Sequence, residues 1–437
     1  MKTLDCALLT LDRRERLVYW PAARLTLDKG RIAQARPLGR KARPGALLAI
    51  PGLVDAHCHL PQYPAVAADG GELLPWLKKH IFPLERRFKG SYARELSRLF
   101  FKDLAAHGTT AAAVYLSVYK EGAEAAFEEG ARSGLRLVMG KVMMDRGSYD
   151  DAFARKHPRR GRAEVSLQES GELCARWNGA AEGRLRYAYT PRFALSCSRE
   201  LMRAAGAEAA RRGAFVQTHL SESRAEIAAV RRDFPEARNY ADVYGEAGLL
   251  GPRTLLAHGI WLSDAERRTV KASGSVLVHC PTSNAFLSSG VMDLPAARGA
   301  DCRLALGSDV AAGPSLDLLE VMRQAVFAQR LAGAHKLFSG AADRALSRGS
   351  AASEVLGAAK AFALATVHGA RALDLPVGAG TLTPGAPADL VLVDPAEYDP
   401  FAPAPDGTAA LARLVFRGSR HAVRATFVAG KLVWGKA

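Results

Sequence analysis

Two of the 11 histidines of this chain stand one residue apart, as His57 and His59 in the stretch PGLVDAHCHLPQYP. Side chains alternate along a strand, so both imidazoles point to one side and Cys58 to the other. Neutral imidazoles so placed form half of a tetrahedral or five-coordinate zinc site. The same spacing also suits two hydrogen-bonded structural histidines. The setting separates these readings: a buried apolar strand that ends in Asp55, His57 and His59 carries polar groups that need partners. His219 in VQTHLSE offers a third imidazole, and Asp309 in LGSDV offers a carboxylate. Each has an ordinary alternative, a satisfied core histidine for the first and a helix N-cap for the second. Three His and one Asp leave a coordination position open, as a catalytic zinc requires. A metal in such a site makes water a nucleophile near neutral pH. Iron(II) suits the same donors. Asp309 is also a candidate general base.

Glu222 follows His219 by three residues. It is either an acidic residue in the first turn of a helix over SESRAEIAAVRRDF, capped by Ser221, or a proton shuttle beside the metal. His258 in LLAHGIW is either a fourth imidazole at the metal or an electrostatic partner for the attacking water, and we prefer the second. Asn284 in CPTSN is a weaker candidate, because that segment also reads as a turn.

The elements that must carry these residues are legible as well. Apolar runs alternate with Ala-, Glu- and Arg-rich helical stretches from about residue 49 to 375. The runs are LLAIPGLVDAHCH, GTTAAAVYLS, LRLVMGKVMMD, RLRYAYTPRF, AFVQTHLSE, TLLAHGIWL, SVLVHCPTSN and RLALGSDV. Alternating β and α predicts a parallel sheet buried on both faces. Eight units predict a closed (β/α)8 TIM barrel, with an open doubly wound sheet as the other arrangement. Active sites of such barrels lie at the C-terminal strand ends. His57, His59, Arg192, Phe193, His219, Glu222, His258 and Asp309 all end runs. Both termini read as short strands, with a turn at Asp28-Lys29-Gly30 and another at Ala429-Gly430-Lys431. The expected division is a small β-sandwich domain from residues 1–48 and 380–437, and a hydrolase barrel over 49–379.

Taken together, PGLVDAHCH, THLSE, LAHG and LGSD resemble the amidohydrolase superfamily of metal-dependent barrel hydrolases. Within it the chain is similar to the barrel-type guanine deaminases. That resemblance is carried by HCHLPQYP (His57 to Pro64), LLPWLKKHIFPLERRF (Leu73 to Phe88), GKVMMDR (Gly140 to Arg146), YTPRFALSCS (Tyr189 to Ser198), QTHLSES (Gln217 to Ser223) and CPTSNAFLSSG (Cys280 to Gly290). It covers roughly residues 50 to 395. It implies zinc ligands at His57, His59, His219 and Asp309, a proton shuttle at Glu222, and substrate contacts at Gln62, Arg192 and Phe193. Trp76 is either a residue that closes the pocket or a core side chain. The implied reaction is hydrolytic deamination of guanine to xanthine. The physical match is sound: an Arg donates to a carbonyl, a Gln amide both donates and accepts, and a Phe face stacks on a flat base. Rival substrates within the superfamily are 8-oxoguanine, an adenosine-like or cytosine-like amine, and a chlorinated triazine. A degenerate barrel scaffold would have lost these ligands. The loop after Asp309 reads VAAGPS, poorer in glycine than is usual in guanine deaminases. The fourth run has no terminal Lys, and Lys141 lies in the third, so one metal per chain is expected. The resemblance also suggests a homodimer.

Composition narrows the rest. The net charge of +16 is scattered, its densest runs being Arg36 to Arg43, Arg155 to Arg162, and Arg211 with Arg212. No aromatic residues interleave with them as a nucleic-acid stacking platform needs. A small-molecule purine is the expected partner, with neither nucleic acid nor membrane. The six cysteines are widely spaced, which speaks against a disulfide framework and a Cys-based zinc site. The pattern H-x-E with P-C-x-x-C of the small cytidine-deaminase fold is absent. No apolar signal core and no membrane-length run are present, which makes the cytoplasm the expected compartment.

Overall fold

A computed structural model describes residues 1–39, 45–68, 71–335, 356–400 and 404–436. Within them the chain begins with the hairpin strands β1 (Lys2–Leu11) and β2 (Leu17–Asp28), then β3 (Arg31–Pro37) and β4 (Leu48–Pro51). Lys29 and Gly30 both take positive φ, 45° and 77°. A two-residue hairpin turn of this hand matches the twist of its strands and favours Gly. Next come β5 (Leu53–His59), β6 (Thr109–Tyr115), β7 (Arg136–Gly140), β8 (Val142–Met143), β9 (Leu185–Pro191), β10 (Phe215–Leu220), β11 (Thr254–His258), β12 (Val276–His279) and β13 (Arg303–Leu306). The chain ends with β14 (Leu390–Val393), β15 (Val423–Val428) and β16 (Lys431–Gly435).

Strands β5 to β13 form the predicted barrel wall. Their order is β13-β12-β11-β10-β9-β7-β6-β5, all parallel, with β8 extending β7 against β9. Nearly all their residues are buried, as expected of strands covered on both faces. The seam between β13 and β5 is tied just beyond the strand ends. Asp309 N donates to His57 O at 2.8 Å, and His59 N donates to Val310 O at 2.8 Å.

The termini join in one seven-stranded sheet, ordered β16-β15-β14-β4-β1-β2-β3. The first apolar run therefore does two jobs. Its residues Leu48–Pro51 pair with β1 and β14, whereas Leu53–His59 enter the barrel. Gly52 makes the switch possible, because a Cβ there would lie 2.1 Å from Thr110 Oγ1. Arg136 and Asp389 tie the sheet to the barrel through a two-point ion pair at 2.7 and 3.2 Å.

Several charges of the basic runs are paired. Glu208 holds both Arg211 and Arg212, and Glu164 holds Arg160. Residues 40–43 of the Arg36–Arg43 run lie outside the described residues. All six cysteines are buried and free. Among the described residues no helix is long and apolar enough to cross a membrane.

Candidate active site

Strand ends bring the expected chemistry together. His57 and His59 come from the end of β5, where the register against β6 shifts between Asp55 and Cys58. Such a bulge re-aims side chains. Cys58 points away and its thiol faces Ala113 O at 3.4 Å. Asp55 braces the bulge, accepting from His57 N, Ser308 N and Ser308 Oγ. His219 comes from β10 and His258 ends β11. Asp309, beyond β13, takes a positive φ of 50°. It caps no helix; its carboxylate turns to the histidines instead.

The spacing of these groups is that of a metal donor set. His59 Nε2 lies 3.2 Å from His57 Nε2 and 3.2 Å from His219 Nε2. Asp309 Oδ1 lies 3.1 Å from His57 Nε2 and 3.3 Å from His59 Nε2. Two donors about 2.1 Å from one ion stand roughly 3 Å apart, so these distances suit a shared ion that keeps a further position open. His258 is also close, since ligand atoms of His57, His219, His258 and Asp309 lie within 4.8 Å of one another. Its Nε2, however, is 3.8 Å from Asp309 Oδ2, farther than the His57 and His59 nitrogens are from that carboxylate. His59 thus lies nearer His57, His219 and Asp309 than His258 lies to Asp309.

Protonation fits the same reading. His219 Nδ1 is 2.7 Å from Arg192 O, a group that only accepts, so the proton sits on Nδ1 and Nε2 is bare. Burial lowers the His59 imidazole to about 4. Burial likewise pushes His219 well down, helped by the neighbouring histidines. For Asp309, burial acts upward, but the surrounding histidines hold the carboxyl well below its usual range. Neutral rings at His59 and His219 beside an ionised Asp309 are a donor chemistry that fits a divalent metal.

Glu222 corrects the helix expectation. The cap of helix Arg224–Asp233 is Ser223, with a capping box to Glu226, and not Ser221. Glu222 stands before the cap and outside the helix. Buried Glu226 accepts from its backbone N–H at 2.8 Å and from Tyr240 Oη at 2.7 Å. The Glu222 side chain is thereby directed to the histidines, with Oε2 3.3 Å from His258 Nε2. Ser289 Oγ donates to Oε1 at 3.3 Å. Burial first, and then the Asp309 charge, push its carboxyl well above the usual range. Asn284 is more than a turn residue: its Oδ1 faces His258 Nδ1 at 2.9 Å and orients that ring.

One pocket joins this cluster to the expected substrate contacts. Gln62, Trp76, Arg192 and Phe193 line it with His59, His219, Glu222, His258 and Asp309. Trp76 stands where the pocket meets the core. It lines the pocket, packs with Leu73, Leu77, Ala311 and Ala312, and donates to Ala68 O at 2.7 Å. The VAAGPS loop thus meets the pocket through small residues beside Trp76. Lys141 lies elsewhere. Its Nζ meets Ser166 Oγ at 3.1 Å and Glu169 at 3.3 Å, beside a separate cavity of about 480 Å³. That larger cavity contains none of the clustered histidines.

Sequence reasoning missed Glu85. This residue, 1% exposed, accepts from Gln62 Nε2 at 2.8 Å and pairs with Arg192 Nη1 at 2.7 Å. It ends the segment Leu73–Glu85, which winds as α, π and again α-helix. Pro83 has no N–H to continue a regular ladder. The only signal was that Glu85 falls within the quoted LLPWLKKHIFPLERRF.

A model of the amidohydrolase family matches residues 48–433, and the chain belongs to that family. Among its relatives, the guanine deaminase of Escherichia coli K12 is 35% identical over 395 residues, spanning 89% of this chain and 83% of that one. The human guanine deaminase is 32% identical, over 80% of this chain and 73% of that one. A structure of guanine deaminase from C. acetobutylicum, with guanine bound in its active site, matches with a TM-score of 0.86 at 27% identity, covering 99% of this chain and 100% of that one.

Proposed function

We propose that this chain is a guanine deaminase, hydrolysing guanine to xanthine and ammonia. One observation carries the reading. His59, His219 and Asp309 of the closely spaced donor cluster, the buried Glu222 carboxyl, and the Gln62, Arg192 and Phe193 side chains share one pocket. His57, His59, His219 and Asp309 would hold one zinc. When bound, the metal supplies a Lewis acid that makes water nucleophilic near neutral pH.

The chain's own residues do the rest. Asp309 takes a proton from the attacking water, with His258 Nε2 beside it. Glu222 gives its proton to the ring nitrogen next to the carbon under attack. Glu222 then takes up the proton left on the added hydroxyl and passes it to the departing amine, and the proton held by Asp309 restores Glu222, so that water and guanine become xanthine and ammonia. Arg192 donates to the carbonyl of the base, Gln62 meets its N–H edge, and the Phe193 face stacks on the ring. Trp76 closes the pocket against bulk water.

The same reading divides the chain into a barrel and a terminal domain, with the expected boundary at 48/49 moved to Gly52 because Leu48–Pro51 pair in the terminal sheet. It also carries a cytoplasmic homodimer acting in purine breakdown. Light scattering on the purified protein tests the dimer. The central test is ammonia and xanthine release from guanine by metal-analysed protein, with adenine and cytosine as controls. Turnover of adenine or cytosine without guanine would sink the assignment.

A further inference from the structure

Gln62 and Arg192 reach the pocket from distant parts of the chain, yet a single carboxylate holds both. Gln62 Nε2 donates to Glu85 Oε1 at 2.8 Å. Arg192 Nη1 lies 2.9 and 2.7 Å from the two Glu85 oxygens. The Arg192 guanidinium also lies over the Phe82 ring, 5.3 Å from its centroid. Glu85 does not itself line the pocket.

The chemistry of the three groups dictates their orientation. An ionised carboxylate accepts hydrogen bonds and donates none. The Gln62 amide therefore turns its nitrogen to Glu85, and Oε1 is the atom turned away from it. Arg192 spends Nη1 on Glu85, leaving Nη2 and Nε as donors. With a non-ionised group in place of Glu85, the amide of Gln62 has no reason to prefer one orientation.

We propose that Glu85 sets the hydrogen-bonding polarity of the pocket, fixing Gln62 as acceptor and Arg192 as donor toward the bound heterocycle. Glu85 is thus a positioning residue that determines specificity. The inference rests on the deaminase reading above. It selects a base whose carbonyl meets Arg192 and whose N–H edge meets Gln62, as guanine offers. It rejects the same ring with the two edges exchanged, as in isoguanine, which carries an amine in place of the carbonyl and a carbonyl in place of the amine.

The test compares Glu85→Gln and Glu85→Asp with the unaltered protein. Each is assayed for guanine KM and kcat, for the isoguanine inhibition constant, and for metal content. Glu85→Gln keeps the size of the side chain but both donates and accepts. It is expected to raise guanine KM about tenfold or more with little change in kcat, and to shrink the isoguanine-to-guanine ratio about tenfold. Glu85→Asp keeps an obligate acceptor and retains most of the ratio, even where its shorter reach raises KM. The ratio is internal to the active fraction, so partial unfolding of a variant does not move it. An unchanged ratio in Glu85→Gln overturns the proposal. Equal loss of the ratio in both variants also overturns it, since that reports packing alone. If the unaltered protein is silent on guanine, the deaminase reading fails separately. The same comparison is then made on whichever heterocycle releases ammonia, with its edge-exchanged isomer as inhibitor.

Discussion

At the scale of single residues, the site works through burial. Glu222 is 3% exposed and faces Asp309's field, so its neutral, proton-bearing form is favoured. A carboxyl in that state is a donor ready for a ring nitrogen. Glu222→Gln keeps the shape and removes the transferable proton. We expect kcat to fall by about 10²- to 10⁴-fold with metal content unchanged, read by steady-state assay beside metal analysis. Unchanged kcat would remove Glu222 from the mechanism. Arg192 shows the other face of burial. Its side chain is 3% exposed and that of Glu85 is 1% exposed. Truncation to Ala leaves the Glu85 charge without its partner. Arg192→Ala should lose guanine turnover and about 3–5 kcal/mol of stability, measured by denaturant unfolding. A variant as stable and active as the parent would show that the pair does neither job.

At the scale of elements, the close approach of β13 to β5 positions the candidate metal donors. Gly307 sits at this seam, and a Cβ there would come within 2.7 Å of His57 Cβ and 3.0 Å of its backbone nitrogen. Both neighbours belong to a buried strand that has little room to shift. Gly307→Ala should therefore displace His57 and weaken metal binding about 10- to 100-fold, the range seen when support of a ligand is lost. Competition with a chelator measures it. Gly299→Ala is the matched control, since a Cβ there meets nothing within 4 Å. Equal affinities for the two variants would show that the seam does not set ligand geometry. The helix-capping pattern acts in the same way at β10, where Ser223 and Glu226 fix the turn that aims Glu222.

At the scale of the molecule, buried polar contacts help tie the terminal sheet to the barrel. Asp389 is the centre of one. It accepts from Arg136 Nε and Nη2 and from Ala429 N. Arg136 begins β7, at the end of the barrel opposite the histidines. Arg136→Ala leaves a carboxylate that is 5% exposed without its cation. The expected cost is about 3–5 kcal/mol in chemical unfolding, with turnover per folded molecule preserved. A loss of kcat in the folded fraction would instead mean that the sheet influences the catalytic end.

Periodicity and residue type alone determined much of this protein. Eight apolar runs named the barrel strands, and polar residues at their ends named the candidate site, because strand direction carries every such end to one face. His57, His59, His219, Glu222, His258 and Asp309 were legible for that reason. Tertiary structure decided what depends on contacts across the chain. Glu85 lies 23 residues from Gln62 and 107 from Arg192, and no local pattern records that meeting. The bulge beside His57 and the partnership of Asn284 with His258 likewise arise from register and packing. So does the move of the cap from Ser221 to Ser223, which places Glu222 outside its helix. Residue type and spacing determine which groups arrive at the barrel mouth. Their orientation there is decided by partners that only the closed barrel brings within hydrogen-bonding distance.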